Sequence, residues 1–109
     1  MTRVTIFREN GRIAGFSAKG HTGFADAGED IVCSAVSAVT QTALLGITEV
    51  LRLPAAVEVE EGFLSCMLED GIEDAVWKKA ELIFETMAVG LRSIADTYSD
   101  YLKIIEREV

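Results

Sequence analysis

Val4-Thr-Ile-Phe-Arg-Glu-Asn-Gly-Arg-Ile-Ala-Gly-Phe-Ser-Ala-Lys19 decides the fold. Its halves, Val4–Arg8 and Arg12–Lys19, read as strands, and Asn10-Gly11 between them tolerates positive φ at both positions, the signal of a tight β-hairpin. A helical stretch follows. From Ile31 to about Leu51, Val32, Val36, Val39, Ala43, Gly46 or Ile47 and Val50 recur at helical spacing, and Pro54 closes the segment. The same order then repeats. Ala55–Glu61 alternates with Val57 and Val59 inward, Gly62 turns the chain, and Phe63–Glu69 completes a second hairpin. After the Asp70-Gly71 turn, Val76, Ala80, Ile83, Met87, Leu91, Ile94 and Tyr98 mark a long second helix. The tail Tyr101–Val109 continues as helix or forms a short last strand, and Ser99-Asp100 with the β-branched residues favours the strand.

The order ββαββα, with that optional fifth strand, implies a two-layer α+β fold: a mainly antiparallel sheet carrying two helices on one face. A chain of 109 residues is expected to be a single domain, 1–109. The second helix has a further apolar row at Trp77, Phe84, Ala88 and Ala95. Two readings are open for it, a dimer surface or the burial of a central helix on two sides.

A net charge of −8 argues against direct nucleic-acid binding, which needs clustered Lys and Arg. It suits a basic partner, or simply solubility. The charged, alternating start lacks the apolar core of a signal peptide, and no segment is expected to reach the roughly 20 apolar residues of a membrane span. The expected location is the cytoplasm. Two cysteines in a reducing compartment are expected as free thiols. One histidine and two distant cysteines do not supply a structural zinc set, so neither metal nor another cofactor is expected.

The chemistry concentrates in Gly20–Ser37. His21, the only histidine, precedes Cys33 by twelve residues, and Gly20, Gly23 and Gly28 suit a loop that bends back and contacts a substrate. Asp30 suits the N-cap of a helix starting at Ile31, which would put Cys33 at its third position, where free amides and the helix dipole favour a thiolate and would line an oxyanion hole. Asp30 has a second reading, orienting the His21 imidazole. Ser37 lies one turn beyond Cys33 on the same helix face. Against catalysis stands a plain alternative, since free cysteine is commonly buried in Ala- and Val-rich helices. Cys66, alternating with Leu64 and Leu68, reads as core.

Gly20-His21, Gly28, Asp30-Ile-Val-Cys33 and Ala35-Val-Ser37 together resemble the signature of the bacterial ribosomal-processing cysteine proteases, the Prp family. Thr22 and Ser34 depart from the alanines more usual there. The resemblance spans essentially the whole chain and implies this length, the ββαββα order and a homodimer. It also implies an endopeptidase that removes a short N-terminal extension from large-subunit ribosomal protein twenty-seven. By position it makes Cys33 the nucleophile, His21 the general base, and Asp30 and Ser37 supporting residues. The rival from another class is a non-catalytic ribosome-associated assembly module with Cys33 in the core.

Overall fold

The computed structural model describes residues 1–20 and 27–109, the side chains of 27–29 excepted. Strands β1 (Thr2–Glu9) and β2 (Arg12–Lys19) form the first hairpin, closed by Asn10 and Gly11 at φ 53° and 83°. Helix α1 (Ala27–Leu45) follows and runs into one π-helical turn, Gly46–Val50. Strands β3 (Ala55–Glu60) and β4 (Phe63–Leu68) make the second hairpin around Gly62 at φ 75°. Helix α2 (Asp74–Thr97) then leads to β5 (Leu102–Glu108), so the tail is a strand.

The sheet order is β3-β4-β2-β1-β5. All pairs are antiparallel except β1 with β5, which run parallel from Thr2 opposite Leu102 to Arg8 opposite Glu108. Cross-strand neighbours fix the inner face: Val4 stands opposite Ala18, Ile6 opposite Phe16, and Phe16 opposite Cys66. Both helices cover this face. Val32 and Val36 of α1 join Phe84, Met87 and Leu91 of α2 in one buried cluster with those strand residues. Phe16 and Phe84 meet edge to face, ring centroids 6.1 Å apart, a geometry the aromatic quadrupoles favour.

Several expectations change. Val57 and Val59 face the helix side, opposite Cys66 and Leu64, yet they are 42% and 64% exposed because β3 is an edge strand beyond the main helix cover. On α2, Trp77, Phe84 and Ala88 are buried within the chain, so that row is core rather than a dimer surface. Trp77 also donates its indole N–H to the Ile13 carbonyl at 3.0 Å. The π turn alters the first helix. With Leu51 N–H donating to Gly46 O five residues back, the turn takes an extra residue and Val50 ends 76% exposed instead of inward. Finally, Asp30–Val50 is 21 residues long with mean hydropathy 1.6, long and apolar enough by composition to cross a bilayer, contrary to expectation. In the fold, its Val32, Val36, Ala43 and Ile47 are instead buried in the shared core.

Candidate active site

Cys33 sits on α1 above the sheet end where β2 stops and the β3–β4 hairpin turns. The thiol is partly exposed, unlike Cys66, and both are free. Gly20 just beyond β2 is held by its N–H donating to the Gly62 carbonyl at 2.8 Å. A Cβ built on Gly20 would stand 2.8 Å from Cys33 Sγ, closer than real Cβ atoms come to other heavy atoms. The backbone just before His21 is therefore packed directly beside the thiol.

Helix α1 begins at Ala27, which corrects the expected start. Asp30 is its fourth residue and exposed, so it is not the cap, and Gly28 belongs to the first turn rather than to a loop. Cys33 is the seventh residue. Its amide therefore falls within the hydrogen-bonded ladder, and the dipole effect, which fades within the first turn, is largely spent there. The expected thiolate support and oxyanion donation from a helix start do not apply to Cys33. His21 and Gly23 lie outside the described residues.

A cavity of about 150 Å³ opens beside Cys33. Ser37, predicted to share its face with Cys33, does line it, but the hydroxyl accepts a bond from Gln41 Nε2 at 2.7 Å. Gln41 itself escaped the sequence reading, although Cys33, Ser37 and Gln41 at four-residue spacing form a polar row on an apolar helix. Thr2, Thr40, Val59 and Phe63 also line the cavity and carried no sequence signal, since strand pairing alone brings three of them there. Cys66 is fully buried, as expected, and burial pushes its thiol up to about 11. Such a group is inert near neutrality.

The arrangement offers one partly exposed thiol beside a small cavity of about 150 Å³. Among the described residues, no cluster of three His, Cys, Asp or Glu side chains is placed to hold a metal ion.

Residues 1–103 match the family model of cysteine protease Prp. The ribosomal processing cysteine protease Prp of Bacillus subtilis is 29% identical over 107 residues, covering 95% of this chain and 96% of that one. Among solved structures, the essential ribosomal processing protease Prp of S. aureus, in complex with a substrate peptide, superposes with TM-score 0.85 at 23% identity, covering 98% of this chain and all of that one. A protein from Streptococcus mutans gives TM-score 0.84 at 22% identity, covering this chain fully and 96% of the other. At those identities the structures speak for the shared α+β fold. The match of a family model along nearly the whole sequence goes further, and the chain belongs to the Prp family of cysteine proteases.

Proposed function

We propose that this chain cuts the N-terminal extension from large-subunit ribosomal protein twenty-seven, with Cys33 as nucleophile and His21 as general base. The observation that carries the reading is the partly exposed Cys33 thiol on a cavity rim, with Gly20 pressed against it. Gly20 is packed beside Sγ and immediately precedes His21 in the sequence, which supports pairing the two residues. The relative from Bacillus subtilis, named a ribosomal processing protease, supports the class of client.

In the proposed reaction His21 takes the thiol proton, and Sγ attacks the carbonyl carbon of the scissile peptide. The C–N bond breaks as the imidazolium returns its proton to the leaving amine. An acyl-enzyme remains. Water, deprotonated by His21, then releases the acid and restores the thiol. Since the Cys33 amide lies within the helix ladder, the oxyanion is assigned to donors other than that amide. Asp30, exposed in the first turns of α1, is assigned to orient His21, and Gly20, Gly23 and Gly28 to shape the substrate path. Free thiols support a reducing cytoplasmic setting.

A homodimer belongs to the same proposal. An apolar groove of about 910 Å³ lies on the outer side of the helices, with Leu45, Val50 and Leu82 among its exposed lining and Glu49 its only charged residue. In a chain of net charge −8, such a charge-poor patch is where two copies meet with least repulsion. Leu82→Glu should then give a monomer by light scattering, and a wild-type monomer would remove the dimer.

The direct test is intact-mass analysis of the organism's own ribosomal protein twenty-seven precursor, incubated with wild type and with Cys33→Ala. One N-terminal cut made only by wild type is expected. An uncut precursor carrying the extension, with both proteins folded, would favour the non-catalytic assembly module.

A further inference from the structure

Both helices cover one face of the sheet, so the other carries no element among the described residues. Strand pairing lays that open face out as a grid. In the row at the sheet end near Cys33, Phe63 stands opposite Lys19, Lys19 opposite Arg3, and Arg3 opposite Lys103. Ser65, Ser17 and Thr5 form the next row, with Ile105 beyond them. In the third, Met67, Gly15 and Phe7 lead to Arg107. Arg3, Lys19, Lys103 and Arg107 are exposed, whereas Phe7 and Phe63 are half-buried. Four of the chain's ten Lys and Arg thus lie on this face, and the acidic side chains of these rows, Glu58 and Glu60, are confined to β3. None of the four cations forms an ion pair or a side-chain hydrogen bond among the described residues. Adjacent strands lie about 4.8 Å apart, so Lys19, Arg3 and Lys103 crowd like charge in a row that the fold leaves unneutralised. The net charge of −8 is an average over both layers and conceals this face.

We infer that the open sheet face is a docking surface for single-stranded RNA. Charge complementarity sets the class of partner, because successive phosphates laid along Lys19, Arg3 and Lys103 relieve the like-charge contact and release counterions. The rest of the grid selects a single strand. Phe63 beside Lys19 and Phe7 beside Arg107 offer rings on which unpaired bases stack, and a duplex, with its bases turned inward, cannot use them. Thr5, Ser17 and Ser65 place hydroxyls in the row between the two rings, within the path of a 2′-OH or a base edge. An acidic protein segment would match the cations and leave the rings without a stacking partner. Net charge argues against nucleic acid, but the placement of charge argues for it. The choice of RNA over DNA also rests on the ribosomal client proposed above. The surface itself does not, and its assay needs no cleavage, so the protease and the docking surface can each fail alone.

The test is fluorescence anisotropy of a labelled single-stranded RNA dodecamer of mixed sequence, titrated with the full chain. With three or four phosphates neutralised, affinity should fall about 20- to 50-fold between about 50 and 200 mM salt. Lys19→Gln/Lys103→Gln should weaken binding about tenfold and flatten that salt dependence. Lys78→Gln/Lys79→Gln removes the same charge from exposed positions on α2 and should stay within about twofold of wild type. Phe7→Leu should cost about fivefold or more and Phe7→Tyr should bind like wild type, with melting temperatures confirming that each variant folds. The same sequence as DNA should bind about threefold more weakly or worse. Equal binding of DNA overturns the choice of RNA. Equal losses from the two lysine pairs overturn the surface, since net charge alone would then explain the binding. An oligo-glutamate dodecamer that binds as tightly as RNA, with no effect of Phe7→Leu, assigns the face to an acidic protein and overturns the inference. So does the absence of RNA binding at the lower salt concentration.

Discussion

Gly20 and Cys33 are packed so closely that a Cβ at position 20 would stand 2.8 Å from the Cys33 sulfur. The glycine has no positive φ, so space rather than backbone conformation requires it. Gly20→Ala should therefore fold with a melting temperature within a few degrees of wild type, while Sγ is pushed off its position. Displacement of a reacting atom by about 1 Å costs on the order of 100-fold in rate. Cleavage assays and thermal melts on this single variant check both halves, and an active Gly20→Ala would mean that the thiol position does not matter.

Gly15 is a glycine of the opposite kind. Its Cβ would meet the Cys66 carbonyl oxygen and stand 2.8 Å from Met67 Cα, both backbone atoms of the paired strand β4. Backbone cannot rotate away as a side chain does. Gly15→Ala should cost about 3 kcal/mol or more, the range of strain and overpacking in a core. Adding Met67→Ala should not recover it, because the nearest obstacle is the main chain. Urea denaturation of the single and double variants measures this.

Cys66 links the core to pH. Burial raises its thiol from 9.0 to about 11, so the unfolded chain releases this proton first as pH rises. Between those values the unfolded state binds fewer protons than the folded one, and stability falls with rising pH. The contribution is complete below about pH 9 and lost by about pH 11, up to about 3 kcal/mol at 1.36 kcal/mol per unit. Cys66→Val lacks that slope. The difference between urea midpoints of wild type and Cys66→Val, followed from pH 8 to 10.5, should shift in favour of the variant.

The hairpins were legible because their turns need unusual backbone angles, and Asn10-Gly11 and Gly62 supply them at φ 53°, 83° and 75°. The helix period was equally visible in Val32, Val36 and Ala43, all buried. What local pattern could not supply was the end of each element and its surroundings. Nothing near Asp30 announced that α1 starts three residues earlier, so the cap and the helix-start role of Cys33 both fell. Val57 and Val59 alternate correctly, but exposure depends on the sheet order that puts β3 at an edge. Thr2 reaches the cavity only because β1 lies beside β2, a long-range fact no short motif encodes.

Arg8 ties β1 to β5 and α2 away from the cavity. Its Nε donates to Glu106 at 2.7 Å and its Nη2 to Glu85 at 3.1 Å, while Arg92 shares Glu106 at 3.1 Å. The Glu106 hydrogen bond leads in holding the guanidinium above its ordinary value. Arg8→Met keeps the apolar stem but removes the network, which is partly exposed, so a loss of about 1 kcal/mol is expected. Salt should shrink the difference from wild type. Cleavage should not change, and denaturation at low and high ionic strength with a parallel peptide assay shows whether it does.

In the proposed mechanism, the position of Cys33 as the seventh residue of α1 leaves its activation to His21. Had the thiol stood among the free amides of a helix start, part of its activation would have come from backbone. Deep in the ladder the proposed nucleophile needs a base instead, and His21, next in sequence to the glycine packed beside Sγ, is the residue proposed to supply it. His21→Asn preserves size and hydrogen bonding but cannot shuttle a proton. A general base contributes about 10²–10⁴ in rate, so kcat should fall by that factor while peptide retention stays within about twofold of the Cys33→Ala protein. Asp30→Asn, if Asp30 orients His21 as proposed, should lower kcat less and leave KM nearly unchanged. Single-turnover cleavage of a saturating peptide separates these effects, and a His21→Asn chain that cuts at the wild-type rate would remove the dyad while leaving Cys33 as nucleophile.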